Sequence, residues 1–345
     1  PDPAGCSDDL RRSLYPCSAR SHHARRFAVV RTGVSLGDQA HSSVSEAPAS
    51  SVRSVSTAID SPAEVRSWSD ATRATGERIA IVPTMGALHR GHLELIASAA
   101  ERADRVIVSV FVNPLQFGEG ADFEHYPRPL DDDLRTCDDA GVDVVYVPTV
   151  AAMYPDGFST TVTVAGLSEL MEGASRPGHF DGVTTVVTKL FAAARPDVAI
   201  FGEKDFQQLA VVRRLTRDLD LGVEIIGHPI VREDDGLAMS SRNRRLNPQE
   251  RAAATCLPAA LSAALEHAAT DGSTVDGVID AARAAVTSQP LAALDYIEVF
   301  DSSTLSPISR FDEHRRRPGT SRIAIAARFG TIRLIDNADV FAPFG

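Results

Sequence analysis

Five short apolar runs alternate with helix-forming stretches between residues 79 and 231, and that alternation restricts the chain to few folds. The runs Ile79–Val82, Arg105–Val112, Val142–Val147, Val198–Phe201 and Val223–Val231 are Val- and Ile-rich and of strand length. Residues 91–102, 131–140, 183–194 and 205–218 carry helix formers between them. Strands that are apolar on both faces and joined by helices predict a doubly wound parallel sheet, an α/β fold. The globular part opens at Ser61-Pro62-Ala63-Glu64: a capping serine, a proline suited to the first helical position, and a glutamate three residues after the cap. Asn247-Pro248-Gln249-Glu250 repeats that pattern and starts a second unit. It predicts helices over 248–269 and 274–288, a strand at Asp295–Phe300, and a hairpin of Arg322–Arg328 with Thr331–Ile335 turning at Phe329-Gly330. The expected division is an extension over 1–56, a parallel-sheet domain over 57–245, and a smaller C-terminal α+β domain over 246–345.

Residues 1–56 lack periodic apolar faces, and from Leu10 to Gly37 they contain no acidic residue while carrying Arg11, Arg12, Arg20, Arg25, Arg26 and Arg31. We read this stretch as a disordered or non-native extension; its composition also resembles an organelle transit peptide, which leaves import as the alternative to a cytoplasmic location. The formal net charge of -11 argues against a general nucleic-acid binder. No apolar run reaches membrane-spanning length. Cys6, Cys17, Cys137 and Cys256 have no CxxC spacing, so neither a disulfide framework nor structural zinc is expected. Lysine occurs only at Lys189 and Lys204 among 35 basic residues, which draws attention to sites that need a compact cation.

The polar clusters fall where the strands end, the edge at which open parallel sheets bind ligands. Ile79–Val82 runs into Pro83-Thr84-Met85-Gly86-Ala87-Leu88-His89-Arg90-Gly91-His92. The two histidines stand three residues apart at a helix start, where free amides favour an anion. By itself such a pair is most often surface decoration, and zinc would need ligands that no nearby Cys or third His supplies. Other strand ends carry matching pieces: Asn113-Pro114-Leu115-Gln116, Gly202-Glu203-Lys204-Asp205 with Gln208, and Met239-Ser240-Ser241-Arg242-Asn243. Two hydroxyls beside an arginine suit a phosphate. Asp131-Asp132-Asp133 opens a helix, which the helix dipole alone explains, although adjacent carboxylates also suit Mg²⁺.

Taken together, the stretches Pro83–His92, Phe111–Gly118, Tyr126-Pro127-Arg128, Asp131–Leu134, residues 152–157, residues 176–180, Phe201–Leu209 and Val231–Asn243 resemble the pantoate–β-alanine ligases. These belong to the HxGH nucleotidyltransferases with a Rossmann-like core, and the resemblance spans residue 57 to Asn337. It implies a two-step ATP-dependent reaction: D-pantoate attacks the α-phosphate to give a pantoyl adenylate and pyrophosphate, then β-alanine displaces AMP. It further implies that His89, His92 and Lys204 serve the transferring phosphates and that Ser240, Ser241 and Arg242 clamp the outer phosphates. Gly202 and Asp205 would meet the ribose, while Val231 and Met239 flank the adenine. Gln116 and Gln208 would hold pantoate, with Met85 and Asn113 lining its pocket. Asp132 and Asp133 would be the carboxylates nearest Mg²⁺. A homodimer is implied, acting on small molecules with no nucleic-acid or membrane partner. The nearest alternative is another HxGH-type adenylyl- or cytidylyltransferase.

Overall fold

The computed structural model describes residues 56–117, 123–313 and 315–344. The extension expected over 1–56 therefore lies outside the described residues except for Ser56, as does Gly118. From the amino end the elements are β1 (Thr57–Ile59), α1 (Pro62–Ala74), β2 (Ile79–Thr84), α2 (Arg90–Ala100), β3 (Arg105–Val110), α3 (Leu130–Asp139), β4 (Val144–Tyr146), α4 (Val150–Met153), α5 (Met171–Ser175), α6 (His179–Ala194), β5 (Val198–Gly202), α7 (Phe206–Asp218) and β6 (Glu224–His228). The remainder comprises α8 (Pro248–Ala253), α9 (Cys256–Ala268), α10 (Val275–Thr287), β7 (Ala292–Asp301), β8 (Ser321–Phe329) and β9 (Ile332–Asp339).

Six strands form one sheet in the order β1-β4-β3-β2-β5-β6, every pairing parallel. The sheet is apolar on both faces because helices cover both. One layer packs Ile79, Ile81, Ile107 and Phe201 with Val183, Val187 and Phe191 of α6, and the other packs Ala80, Val82, Val108 and Ile200 with Ile96 and Ala99 of α2. The chain runs outward from β2 through β3 on one side and through β5 on the other, so β2 and β5 flank the switch point where a crevice opens. β1 is absent from the sequence reading: three residues with one buried side chain give no periodic signal.

The second sheet is antiparallel, β7-β8-β9. Ile323, Ile325, Ala327 and Phe329 point from β8 into a core shared with Leu257, Leu261, Val278 and Val286. The helix expected over 248–269 is two helices. Pro258 has no N–H to donate and its ring would strike the carbonyl four residues back, so a fresh helix starts at Cys256 with Pro258 in its first turn. The other caps form as expected. The Ser61 hydroxyl accepts from the Glu64 amide, and Asn247 and Glu250 close a reciprocal box. The expected division near residue 245 falls between a 3₁₀ turn ending at Arg245 and the cap Asn247.

Candidate functional site

β2 delivers its carboxyl end into a turn whose geometry is fixed residue by residue. Gly86 adopts φ 79°, and a Cβ there would lie 2.8 Å from Asp133 Oδ2 and 3.0 Å from Val110. Ala87 follows at φ 52°, a left-handed conformation that costs an L-residue roughly 1–2 kcal/mol. The strain is held by a complete set of partners. The Ala87 and Leu88 amides donate to the two Asp133 oxygens at 2.8 and 2.7 Å. The Ala87 carbonyl accepts from the Ser241 hydroxyl at 3.1 Å, and that of Leu88 accepts from Arg244 at 3.0 Å. All four buried backbone groups of this dipeptide are thereby satisfied by three side chains.

The turn ends at His89, which caps α2. Its Nδ1 accepts from the Gly91 amide at 3.1 Å, while His92 Nδ1 accepts from the His89 amide at 3.3 Å. These bonds assign both ring protons to Nε2, because a nitrogen accepting an N–H bond carries no hydrogen. The rings lie 4.1 Å apart. Burial, with Lys204 and Arg244 adding to it, lowers the His89 pKa to about 4; burial and then His89 lower His92 to about 3. Both imidazoles are therefore neutral near pH 7 and each presents one N–H donor.

Around them opens a cavity of about 220 Å³. It is lined by Met85, His89, His92, Asn113, Gln116, Gly202, Lys204, Asp205, Gln208, Val231, Met239, Ser240, Ser241 and Arg242, so the fold brings fourteen expected residues from four chain segments to one place. A neighbouring cavity of about 360 Å³ lies between the small sheet and the segments of α5, α6 and α7, and shares Arg176, His179, Lys204, Asp205, Gln208, Ser240 and Arg242 with it. Lys204 sits on the 3₁₀ turn after β5, 3.7 Å from Asp205, with 18 % of its side chain exposed. Ser241 differs from its expected part as a phosphate clamp in one respect: it is 5 % exposed and its hydroxyl already donates to Ala87. Ser240 caps the following turn by accepting from the Arg242 amide at 3.3 Å.

Gln116 is held by a relay. Tyr154 donates to Asn113 Oδ1 at 2.7 Å, Asn113 Nδ2 donates to Gln116 Oε1 at 3.0 Å, and Gln116 Nε2 reaches Met85 Sδ at 3.2 Å. The Gln116 carbonyl accepts from His179 Nδ1 at 2.8 Å and from Arg176 at 3.1 Å. Burial, helped by Arg176, lowers the His179 pKa to about 4.

Asp132 and Asp133, expected nearest the metal, are not placed as its direct ligands. Asp133 is 2 % exposed with both oxygens on backbone amides, and Asp132, 68 % exposed in its side chain, pairs with Arg135 one turn along α3. Neither lines either of these two cavities, and among the described residues no cluster of three His, Cys, Asp or Glu is placed to hold a metal. Burial pushes the Asp133 carboxyl above its ordinary range, and the Leu88 and Ala87 amides pull it part of the way back.

Sequence reasoning left out several lining residues. Arg176 and His179 were matched only as part of the stretch 176–180 or not assigned, and Val183, Val186 and Val187 read as plain helix core, which they also are. Tyr154 carried no signal beyond its place in the stretch 152–157, because its partner lies 41 residues away.

Known proteins resemble this chain over most of its length. The family described as pantoate-beta-alanine ligase matches residues 57–339. A pantothenate synthetase of Heliobacterium modesticaldum is 51% identical over 279 residues, covering 81% of this chain and 97% of that protein. The crystal structure of pantothenate synthetase from Thermus thermophilus superposes with a TM-score of 0.77 at 45% identity, over 83% of this chain and 100% of that one. Pantoate-beta-alanine ligase from Francisella tularensis, complexed with beta-gamma ATP and beta-alanine, gives 0.69 at 31% identity, over 84% and 100%.

Proposed function

The chain belongs to the pantoate-beta-alanine ligase family, and from that premise we propose how its cleft joins D-pantoate to β-alanine with ATP. The activity is an AMP-forming carbon–nitrogen ligation that yields pantothenate; a nucleotidyltransferase that stops after nucleotidyl transfer is not favoured. In the first step a pantoate carboxylate oxygen bonds to the α-phosphorus, and the bond to the β-phosphate bridge breaks, releasing pyrophosphate. In the second the β-alanine amine bonds to the acyl carbon, loses a proton, and AMP leaves. No enzyme atom is covalently joined, so the protein contributes position and fixed donors.

The two Nε2–H donors, locked in direction by backbone amides, carry this reading. A neutral donor already oriented needs no rearrangement as charge develops on the phosphate. Lys204 and Arg242 supply the positive charge, and Ser240 supports Arg242. Ser241 acts beneath the surface by securing the His89 turn. Gln116 and Gln208 hold pantoate beside Met85 and Asn113, Gly202 and Asp205 meet the ribose, and Val231 and Met239 flank the base. His179 does not serve as base for the amine, since Nδ1 donates to Gln116 and Nε2 faces Arg176 at 3.3 Å. ATP is used as its Mg²⁺ complex, with neither Asp132 nor Asp133 as a direct ligand. Residues 57–245 and 246–345 are proposed as the two working domains, the location as cytoplasmic, and the assembly as a homodimer; a monomer in sedimentation would remove the last.

The test is ATP–pyrophosphate isotope exchange with D-pantoate present and β-alanine absent. Pantoate-dependent exchange is expected. Its absence from a folded sample that binds ATP would overturn the adenylate route.

A further inference from the structure

The last strand of the small sheet reaches back to the cleft through two adjacent side chains. Asn337, 3 % exposed, donates from Nδ2 to the carbonyls of Glu203 at 3.0 Å and Lys204 at 2.9 Å. Its Oδ1 accepts from Arg322 Nε at 3.0 Å, which settles the orientation of the amide. Arg322 in turn pairs with Glu203 at 3.3 Å and lies 4.1 Å from the centre of the Phe206 ring. Asp336, 1 % exposed, accepts both Arg232 terminal nitrogens at 2.7 and 3.1 Å. Arg232 also donates to Gly236 at 3.0 Å, inside a loop whose ends Val231 and Met239 are joined by a 2.9 Å backbone bond. One dipeptide therefore grips two segments that border the nucleotide cleft and lie more than twenty residues apart in sequence.

The turn that carries Lys204 has few supports of its own. It is three residues long, and Gly202 before it offers no side-chain cap. A lysine side chain is a flexible four-carbon stem, so its ammonium can be aimed only by fixing the backbone it leaves from. Nor does the Asp205 side chain cap α7. The Asn337 amide is what ties the Glu203 and Lys204 carbonyls across to the second sheet.

We propose that Asp336 and Asn337 are positioning residues for phosphoryl transfer, setting the Lys204 turn and the loop that leads to Ser240-Ser241-Arg242 in fixed register. The small sheet is then part of the catalytic frame. This rests on the reading of Lys204 given above, and the test separates the two.

The test is a double-mutant cycle in the pantoate-dependent exchange assay, using Asn337→Asp, Lys204→Ala and the pair. Asn337→Asp keeps the acceptor for Arg322 but replaces the two donors with an oxygen facing two carbonyls. Alone it is expected to lower the maximal exchange rate about ten- to a hundredfold, the scale of a 1 Å misplacement, with half-saturation by pantoate changed less than about twofold. In the Lys204→Ala background it should add less than about threefold, because the group it aims is gone. Equal losses in both backgrounds would show a merely structural role and overturn the proposal. So would full exchange in an Asn337→Asp protein with the parent's melting temperature. Should Lys204→Ala alone exchange like the parent, the reading of Lys204 fails first and this one with it. If Asn337→Asp does not fold, Asn337→Ala, which removes both donors together with the acceptor for Arg322 and adds no charge, takes its place under the same criteria.

Discussion

Replacing Asp133 by alanine strips the turn before His89 of both its amide acceptors, and the cost follows from the geometry. Two buried N–H groups, now bonded at 2.8 and 2.7 Å, would lose their partners. At roughly 1–3 kcal/mol for each unsatisfied donor the gross loss is about 2–6 kcal/mol. Removing a carboxylate whose burial already raises its pKa returns part of that, so a net loss of about 2–4 kcal/mol is expected. Asp133→Asn keeps one oxygen and turns an N–H toward the other amide, which should cost about 1–3 kcal/mol. Urea unfolding followed by fluorescence of Trp68, the single tryptophan, would read both, since Trp68 packs on the core below the parallel sheet. Activity should fall with stability because the strained Ala87 sets the entry into His89, and raising Mg²⁺ should not restore it. An Asp133→Asn protein with the parental unfolding midpoint, and with exchange recovered at high Mg²⁺, would refute the reasoning and return Asp133 to the metal.

Three more expectations follow from the same contacts. The depressed pKa values of His89, His92 and His179 mean that these rings stay neutral in the fold while their unfolded counterparts take up protons below about pH 6.5. Stability from this source is intact above about pH 6.5 and is lost as pH falls toward about 4, so equal urea midpoints at about pH 7.5 and 5.5 would contradict it. In Gly182→Ala the new Cβ would lie 2.3 Å from the Leu115 carbonyl and 2.5 Å from the Gln116 amide, forcing the Gln116 turn to move. The KM for pantoate should rise roughly tenfold, about 1.4 kcal/mol, while that for ATP stays nearly constant; the reverse pattern would remove Gln116 from the pantoate pocket. Burial alone would push the Glu172 carboxyl up, but Arg333, gripping both its oxygens, and Tyr296 hold it below the usual range. Glu172→Ala should cost about 3 kcal/mol, at the low end for a broken buried pair because Asp295 still faces Arg333 at 2.7 Å, and a calorimetric melt unchanged from the parent would sink the estimate.

Much of the fold was legible because its signals are local. Val- and Ile-rich runs, capping serine and asparagine, and proline at first helical positions each act within a turn or two, and they placed the parallel sheet and the hairpin. The break before Cys256 was missed, although Pro258 inside the helical stretch 248–269 is a warning the sequence carried. The acidic run shows where reading stops. Asp132 and Asp133 are neighbours with the same chemistry, yet one faces water and the other the core, as helix geometry sends successive residues about 100° apart. The pair Asp133 and Cys137, both buried at i and i+4, was the available clue. Glu172, Asp336 and Asn337 left no clue at all. Their partners lie 161, 104 and 133 residues away, and only the folded chain brings them together.

The scarcity of lysine has a practical consequence. Apart from the chain's α-amino group, an acylating reagent meets only two amines here. Lys189 lies on α6 with its ammonium 5.1 Å from the centre of the Phe158 ring, and Lys204 stands in the cleft. A mass spectrum of the labelled protein is then close to a two-channel meter, one channel reporting ligand occupancy of the cleft around Lys204 and the other, on the same molecule, calibrating the dose of reagent.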